Sequence, residues 1–301
     1  MITFRAASEL WLAEQQNRKL RPKSLHTYRS ILRVHLAERF GDMNMADLVV
    51  TNNKTMRTLV ADLTKTYKPA SIRLMLSVFR GVLESITDDN GNRVYRPDWN
   101  WDYIGAPTVN PLEQHAPMIT AEEVNAIVIG RKDSLLYATL AGTGLRIGEL
   151  LALTADDWDR QAAIFRIRVS KTPAGVREVD LPMALNDHLR AAVGDRQGRL
   201  FPDWPTTYRR RAAGITGFAH SFRRFRLTHL RRAGVNEDIV KLWMGHADKT
   251  ISDRYSRLRL DREFRRDQCR LAGLGFELRT GSTDQSSTLV PLRGQLLAGK
   301  L

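Results

Sequence analysis

Cysteine is almost absent from this 301-residue chain, and its one example is Cys269. A single thiol can form neither an intrachain disulfide nor a zinc site built from several cysteines. The chain also lacks an apolar run of about eighteen residues, the length that crossing a bilayer requires. Its N-terminus has no basic segment followed by an apolar one, as an export signal would. These absences predict a cytoplasmic protein without a membrane partner.

Acidic residues are too few to balance the basic ones. The chain has 33 Asp and Glu against 47 Lys and Arg, which leaves a formal charge of +14. Hydrophobic residues make up 43% of it, as in a globular protein, and its length fits about two domains. A charge this large favours a polyanionic partner, with nucleic acid ahead of an anionic membrane surface.

The first hundred residues carry the apolar spacing of helices. That spacing predicts helices over residues 4–16, 22–41 and 54–63, and a fourth that Ser71 caps. Together these predict a helical bundle over residues 1–104. Solubility alone would explain any one of its basic side chains as well as DNA binding does. As a group they suit contact with DNA phosphates, and the candidates are Arg29, Arg33, Lys68, Arg73 and Arg80.

Proline marks the end of this bundle. Three prolines fall within eleven residues that show no helical period, which predicts an extended linker over residues 105–117. Thr120 and Glu123 then have the spacing of a capping box that opens a new helix. A second domain is therefore predicted over residues 118–275, followed by a tail over residues 276–301.

The second domain combines helical and strand periods. Residues 134–141 read as an apolar helix that the Gly142-Thr143-Gly144 sequence should end. Between residues 164 and 181 apolar and polar side chains alternate through Val169, which predicts a β-hairpin with Lys171 at its turn. Further helices are predicted over residues 183–193, 206–213 and 260–271. The predicted fold class is thus mainly α, a helical bundle followed by an α+β domain with one small hairpin or sheet.

The strongest pattern lies in the last third of the chain. His220 and Arg223 stand three residues apart, so a helix would put them on one face. Gly245 has the position of a helix end. His246 follows it directly, and Tyr255 comes nine residues later.

This ordered set resembles the C-terminal half of the active site of the tyrosine recombinase (phage integrase) family. In that family His-x-x-Arg, Gly-His and a nucleophilic tyrosine follow at these spacings. Upstream, the sequence Thr-Gly-Leu-Arg-Ile-Gly-Glu-Leu resembles the family's first arginine box, and a lysine at a hairpin turn matches the family's hairpin lysine. The resemblance implies six catalytic residues, which are Arg146, Lys171, His220, Arg223, His246 and Tyr255.

The resemblance also implies how the phosphate would be held. Arg146 and Arg223 would bind the nonbridging oxygens of a pentacoordinate phosphorus, and His246 would add a hydrogen bond. Glu149 would orient Arg146 rather than take part in the reaction. Purely structural roles stay open for single members, such as an ion pair between Arg146 and Glu149 on one helix.

The covalent step would depend on the remaining three residues. Tyr255 would attack the phosphorus and give its proton to His220, while Lys171 would protonate the leaving 5′ oxygen. The product would be a 3′-phosphotyrosyl bond, which keeps the energy of the phosphodiester for rejoining. No metal or other cofactor is implied.

For the whole protein, the resemblance implies a site-specific recombinase of a phage or other mobile element. It would act on double-stranded DNA with short inverted-repeat core sites, as a homotetramer on two synapsed sites, in the nucleoid. Arg224 stands where many family members have histidine and is a further candidate for DNA contact. The chain would begin at the core-binding domain, without the additional arm-binding module of larger phage integrases.

Other functions stay open at this point. A type IB topoisomerase uses a similar set of residues, although it acts as a monomer. A catalytically inactive DNA-binding regulator is the alternative from a different class, and the intact Tyr255 and two arginines disfavour it. A metal-dependent nuclease is weaker still, because the sequence has no convincing acidic cluster for magnesium. The choice among integration, excision, transposition and dimer resolution also stays open.

Overall fold

The chain forms two units, Met1–Gln114 and His115–Leu301. The structure, a computed structural model, describes residues 2–50, 53–96, 99–110, 118–128, 134–170, 172–201, 218–247 and 257–278. The predicted fold class is confirmed, because these residues are mainly helical and include one small antiparallel sheet. No described helix is both long and apolar enough to cross a membrane. The domain boundaries at residues 104, 117 and 275 stay predictions.

In its described residues, the first unit consists of helices joined by turns. Thr3 caps the first of them by accepting a hydrogen bond from the Ala6 N–H at 3.3 Å. The helices are α1 (Phe4–Asn17), α2 (Pro22–Ile31), a π-helical segment (Leu32–Leu36), α3 (Ala37–Phe40), α4 (Met45–Val49), α5 (Asn53–Thr64), α6 (Pro69–Leu83) and α7 (Trp101–Ile104). The sequence did not reveal α4 and α7, because each is too short to show a period.

The start of α6 corrects one prediction. The helix begins at Pro69, with Lys68 at the N-cap position, so Ser71 lies inside the first turn and does not cap it. Proline favours this start because its ring presets φ, and its missing N–H would have had no partner at the first helical position. The four predicted helices are otherwise found within a few residues of their predicted bounds.

The core of the first unit centres on an aromatic cluster. Phe79 is fully buried, and its ring centroid lies 5.1 Å from that of Phe4 and 4.8 Å from that of Phe40. Trp99 stacks on Phe79 with parallel planes and a centroid distance of 5.7 Å. These contacts fasten the residues before α7 to the bundle, because large aromatic side chains bury much surface.

The second unit surrounds a three-stranded sheet with helices. Its helices are α8 (Ala121–Val128), α9 (Ser134–Thr143), α10 (Ile147–Leu150), α11 (Met183–Val193), α12 (Phe218–Arg232), α13 (Glu237–Met244) and α14 (Arg262–Ala272). Its strands are β1 (Trp158–Asp159), β2 (Ile164–Ile167) and β3 (Arg177–Asp180). The predicted capping box opens α8, since the Thr120 N–H donates to Glu123 Oε2 at 2.7 Å and the Glu123 N–H donates to Thr120 Oγ1 at 3.2 Å. The helix predicted over residues 206–213 lies outside the described residues.

The sheet contains the predicted hairpin. Strands β2 and β3 are antiparallel, with Ile164 opposite Asp180 and Ile167 opposite Arg177. Val169, predicted to continue the alternation, lies beyond the end of β2 and is exposed. The connection contains a 3₁₀ turn over Pro173–Gly175. Lys171, predicted for this turn, lies outside the described residues.

Helix α9 is the central helix of the second unit and packs against α8, α11 and α12. It continues through Thr143, two residues past the predicted end at Ala141. A Cβ at Gly142 would come within 2.8 Å of Leu185 Cδ2, which means that this glycine serves close helix packing. Gly144 ends the helix instead, with a φ of +68°.

The C-terminal end of α14 is bound to α12. Arg226 is 2% exposed, and its Nη1 donates to Gly273 O at 2.7 Å. The His229 ring contacts Ala272 O through Nε2 at 2.7 Å, which gives this half-buried histidine a structural role. Phe276 and Leu278, which the predicted boundary assigns to the tail, pack against the core of this unit.

Candidate active site

The first arginine of the predicted set lies at the start of a short helix. Arg146 occupies the N-cap position of α10, two residues after Gly144. Its Nη1 donates to Glu149 Oε1 at 2.8 Å, and its backbone N–H donates to Glu149 Oε2 at 3.1 Å. The Arg146 side chain keeps 27% exposure. Its guanidinium is therefore oriented by Glu149 and still accessible to a ligand.

Glu149 is a buried carboxylate with several donors. Besides Arg146, it accepts from Ser170 Oγ at 2.6 Å and from Arg177 Nη2 at 3.1 Å. Burial alone would raise the pKa of Glu149, but the charge of Arg177 and hydrogen bonds from Ser170, Arg177 and Arg146 lower it to about 2. Glu149 thus stays ionised at neutral pH and can hold a guanidinium beside it.

The His-x-x-Arg pair lies on α12. Arg223 is 9% exposed, and its Nη1 donates to Gly144 O at 2.8 Å, while its Nη2 donates to Met244 O. Burial, together with the charges of Arg146 and Arg177, lowers the pKa of Arg223 to about 10, so it remains protonated at neutral pH. This arginine joins the end of α9 to the end of α13.

The end of α13 presents the next predicted residue. Gly245 adopts a φ of +60°, and the His246 N–H then donates to Lys241 O at 3.0 Å, as in a common helix C-cap. Three consecutive carbonyls just before His246 accept from three different arginines, and such carbonyls have no partner inside the helix. The pairs are Arg177 Nε with Trp243 O (2.8 Å), Arg223 Nη2 with Met244 O, and Arg146 Nη2 with Gly245 O (3.5 Å).

The pKa values of both histidines are affected by the charges of the arginines. Burial, followed by the charges of Arg223 and Arg146, lowers the pKa of His246. Burial and the charges of Arg223, Arg224 and Arg146 likewise lower the pKa of His220. Both side chains are still exposed. A neutral, accessible imidazole beside fixed cations can accept a proton or a hydrogen bond at neutral pH.

The structure therefore brings together four of the six predicted catalytic residues, Arg146, His220, Arg223 and His246. Lys171 and Tyr255 lie outside the described residues. Among the described residues, no group of three or more His, Cys, Asp or Glu side chains is arranged to hold a metal ion.

Sequence reasoning missed Arg177 and Ser170, which complete the support of this site. The Arg177 side chain is 1% exposed. The alternation in β3 contained the signal, because Arg177 shares the inward face with the buried Val179, where a charge needs a partner. The identity of that partner could not be read from local spacing.

The basic residues predicted to face DNA occupy exposed or half-buried positions. Arg29, Arg33, Lys68, Arg73 and Arg80 are all exposed on the first unit. Arg80 differs from the rest because its Nε donates to Glu84 at 2.7 Å and its guanidinium lies 5.6 Å from the Trp101 ring centroid. Arg224 is half-buried on α12 and donates to Ser221 Oγ at 3.1 Å.

Comparisons with known families match both units. Residues 118–262 match the phage integrase family, and residues 3–52 match the phage integrase N-terminal SAM-like domain. The chain is 27% identical over 176 residues to the tyrosine recombinase XerC of Rhodospirillum centenum. It is 26% identical over 166 residues to the tyrosine recombinase XerA of Thermococcus kodakarensis. These alignments cover 50% and 48% of this chain, and 50% and 58% of the two relatives, so the chain spans only about half of their length.

Solved structures share the fold. The Tn1549 transposon integrase in complex with transposon right end DNA superposes with a TM-score of 0.63 at 17% identity, over 87% of this chain and 99% of that one. The lambda integrase tetramer bound to a Holliday junction gives a TM-score of 0.59 at 16% identity, over 87% of this chain and 81% of that one. From the two family matches and the two relatives, we conclude that the chain belongs to the phage integrase, or tyrosine recombinase, family.

Proposed function

We propose that this protein is a site-specific DNA recombinase that cleaves and rejoins duplex DNA through a 3′-phosphotyrosyl bond on Tyr255. The observation that carries the proposal is the group formed by Arg146, His220, Arg223 and His246 around the end of α13. Two guanidiniums fixed by a carboxylate and by backbone carbonyls suit the charge of a pentacoordinate phosphate. Fixed donors need no reorganisation as that charge develops, so they stabilise the transition state more than the substrate.

In the proposed reaction, the phenol oxygen of Tyr255 attacks phosphorus and its proton passes to His220. The bond between phosphorus and the 5′ oxygen breaks, and Lys171 protonates that oxygen. Rejoining is the reverse, with a 5′-hydroxyl from the same or another strand as the nucleophile. The lowered pKa of His220, caused by burial and the nearby arginines, keeps this imidazole neutral and able to accept the proton.

Duplex DNA is the partner that the charge supports. The chain carries a formal charge of +14, and its first unit exposes arginines on helices α2 and α6. Integrases of the same fold have been solved bound to DNA, which supports the same partner here. We infer that residues 1–104 form the core-binding domain, that 105–117 link it to a catalytic domain over 118–275, and that Arg29, Arg33, Lys68, Arg73, Arg80 and Arg224 contact DNA.

We further infer a homotetramer on two synapsed, short inverted-repeat sites, working in the nucleoid. The lambda integrase tetramer on a Holliday junction supports this assembly by its shared fold. The tail from residue 280 would dock on a neighbouring subunit. Deleting residues 280–301 should then weaken synapsis and leave binding to a single half-site intact, which gel-shift assays on one and two sites measure. Equal recombination by the truncated protein would contradict the tail's role.

A nicked suicide substrate tests the nucleophile. Loss of the short 5′-hydroxyl fragment prevents rejoining, so wild-type protein should accumulate as a denaturation-resistant adduct with DNA. Tyr255→Phe removes one oxygen and should abolish the adduct while DNA binding is kept. Tyr208→Phe is the matched control and should form the adduct normally. An adduct with Tyr255→Phe, or an adduct peptide that lacks Tyr255, would contradict the assignment.

Supercoil relaxation, two-site strand exchange and adduct formation together separate this proposal from the other functions. A type IB topoisomerase would relax supercoiled DNA as a monomer and would not exchange strands between two sites. A DNA-binding regulator would bind without forming an adduct. A nuclease that depends on magnesium would lose cleavage in EDTA, whereas the proposed site should cleave in EDTA at an unchanged rate.

A further inference from the structure

Arg177 is a fully buried arginine beside the candidate active site. All three of its guanidinium nitrogens have partners. Nε donates to Trp243 O at 2.8 Å, Nη1 donates to Gly175 O at 2.6 Å, and Nη2 donates to Glu149 Oε2 at 3.1 Å. These partners lie at the end of α13, in the turn of the hairpin and on α10. One side chain therefore joins three elements that each lead to a predicted catalytic residue.

The first connection leads to Arg146. Glu149 holds the Arg146 guanidinium, and Glu149 is itself 3% exposed, so its position depends on the donors around it. Arg177 is the donor to Glu149 that comes from the sheet. If Arg177 were removed, the carboxylate would lose its contact with β3 and could rotate with Arg146.

The second connection leads to the turn of the hairpin. Ser170 immediately precedes Lys171, and its hydroxyl donates to Glu149 Oε1 at 2.6 Å. Close packing supports the same turn, because a Cβ on Gly175 would collide with the Ser170 side chain. Arg177 binds Gly175 O directly and is joined to Ser170 through Glu149. It therefore holds both Ser170 and Gly175, which lie on either side of the position predicted for Lys171.

The third connection leads to His246. Arg177 shares the end of α13 with Arg223 and Arg146, since each binds one of three successive carbonyls there. A Cβ on Gly245 would come within 2.9 Å of Arg177 Nη1, so the turn that presents His246 packs directly on this guanidinium.

We propose that Arg177 is a positioning residue for DNA cleavage, which aligns Arg146 and His246 and holds the turn between Ser170 and Gly175 without touching the DNA. The proposal rests on the proposed function, because alignment matters only if this site transfers a phosphoryl group. At 1% exposure Arg177 cannot reach a substrate, so it would act only through Glu149 and the two backbone carbonyls. Misplacing a catalytic group by about 1 Å can cost about 10²-fold in rate.

The charge of Arg177 should make the cleavage rate of variants that lack it depend on pH. Glu149 faces three cations, Arg146 from its own turn, Arg177 from β3 and Arg223 from α12. Burial opposes ionisation of Glu149, and the charge of Arg177 is the strongest influence in the other direction. Without that charge Glu149 should take up a proton more readily as the pH falls, and a protonated Glu149 accepts fewer hydrogen bonds from Arg146.

The test compares single-turnover adduct formation on the suicide substrate by wild type, Arg177→Met, Arg177→Lys and Arg265→Met between pH 4.5 and pH 8.5. Arg265 is the matched control, a buried arginine of the same unit whose carboxylate partners Asp180 and Glu178 bind none of the predicted catalytic residues that the structure describes. Arg177→Met should slow cleavage about 10²-fold with DNA affinity unchanged, and its deficit should grow as the pH falls. Arg177→Lys keeps the charge and should show a smaller deficit that does not change with pH. Arg265→Met should cleave at the wild-type rate per folded molecule.

The outcomes distinguish this inference from the proposed function. A wild-type protein that forms no adduct refutes the proposed function, and this inference with it. If wild type forms the adduct, then equal rates for Arg177→Met, or a deficit equal to that of Arg265→Met and independent of pH, overturn this inference alone. If Arg177→Met does not fold, Arg177→Lys and Ser170→Ala decide the question. Both should cleave several-fold more slowly than wild type, and a wild-type rate in both would overturn the proposal.

Discussion

Two arginine–carboxylate networks meet strand β3 in the second unit, one from each face of the strand. In the first, Arg265 donates to Asp180 through Nε at 2.8 Å and through Nη2 at 3.1 Å, and to Glu178 through Nη1 at 2.9 Å. The Trp243 indole N–H also donates to Asp180, at 2.7 Å. The side chains of Arg265 and Asp180 are each 4% exposed. This network is closed, because its central charges satisfy one another away from solvent.

The second network uses the same chemistry, but its outer member is a cation. Glu149 and Arg177 are as buried as Arg265 and Asp180, and Arg146 at the outer end is 27% exposed. The equally exposed outer member of the first network is the anion Glu178. Arg146 thus has a fixed orientation and donor capacity left for a ligand. Buried ion pairs in this unit therefore have two roles. The closed network joins β3 to α14, and the open one supports a cation that faces outward.

The largest expected effect is on stability, from breaking the closed network. Asp180→Asn removes a buried charge and leaves Arg265 with Glu178 as its only carboxylate. We expect the free energy of unfolding to fall by about 3 kcal/mol, the low end of the cost of breaking a buried ion pair, because Arg265 keeps its ion pair with Glu178. Urea denaturation measures the change, with Asp187→Asn on the exposed face of α11 as the control.

Cleavage by the folded fraction of Asp180→Asn should stay close to the wild-type rate. A large loss of cleavage in folded protein would show that the two networks are coupled, since Trp243 contacts both. The first network would then support the active site as well as the fold.

The next effect is on activity, from altering the open network. Arg146→Lys keeps the charge but cannot bind Glu149 and a phosphate oxygen at once as a planar guanidinium can. We expect adduct formation on the suicide substrate to fall about 10²–10³-fold. The free energy of unfolding should change by less than about 1 kcal/mol, because Glu149 keeps its bonds to Ser170 and Arg177.

Arg270→Lys on α14 is the control for this substitution, because Arg270 is exposed and paired with Asp267. It should leave both quantities unchanged. A loss of stability in Arg146→Lys as large as that in Asp180→Asn would contradict the division between the two networks.

A smaller effect concerns pH, since the open network lies beside two histidines. Burial and nearby arginines lower the pKa of His220 and His246 below the usual value of about 6.5. As the pH falls through that value, the unfolded chain binds protons that the folded chain does not. The free energy of unfolding should therefore decrease below about pH 6.5, with no contribution from these groups above pH 7.

Urea denaturation of wild type and His246→Gln between pH 5 and pH 8 measures this effect. The variant should lose less stability on acidification than wild type. His26→Gln, at an exposed position on α2, should behave as wild type does. If the free energy of unfolding falls equally with pH in His246→Gln and in wild type, the arginines do not lower the pKa of His246.

The smallest expected effect concerns an arginine outside both networks. Arg73 is exposed on α6, and if it contacts a phosphate, Arg73→Ala should reduce the slope of log K against log salt by about 1. Arg5 is the control, because it already pairs with Asp42 at 3.0 Å. Fluorescence anisotropy measures the dependence of log K on log salt. If its slope is the same for wild type and Arg73→Ala, Arg73 does not contact a DNA phosphate.

Local spacing was enough to predict the start of α8 and the end of α13 in the second unit. Thr120 and Glu123 form the capping box that their separation of three residues predicted. Gly245 ends α13 with a left-handed φ, as glycine at that position indicated. Spacing misled where packing competed with it. Gly142 lies inside α9, at a position where Leu185 leaves no room for a side chain, so this glycine serves packing rather than a helix end. The helices α4 and α7 are too short to show a period.

The sequence by itself determined the order of the six candidate residues, their family and their helical neighbours, because these depend on identities a few positions apart. Only the tertiary structure decided what holds them. Arg223 binds carbonyls 79 and 21 residues away, and Arg177 binds a carboxylate 28 residues away. These partners meet because the apolar faces of α9, α12 and α13 and of the sheet pack into one core. Hydrophobic burial is nondirectional, so local spacing does not reveal which distant carbonyl it will bring to a given arginine.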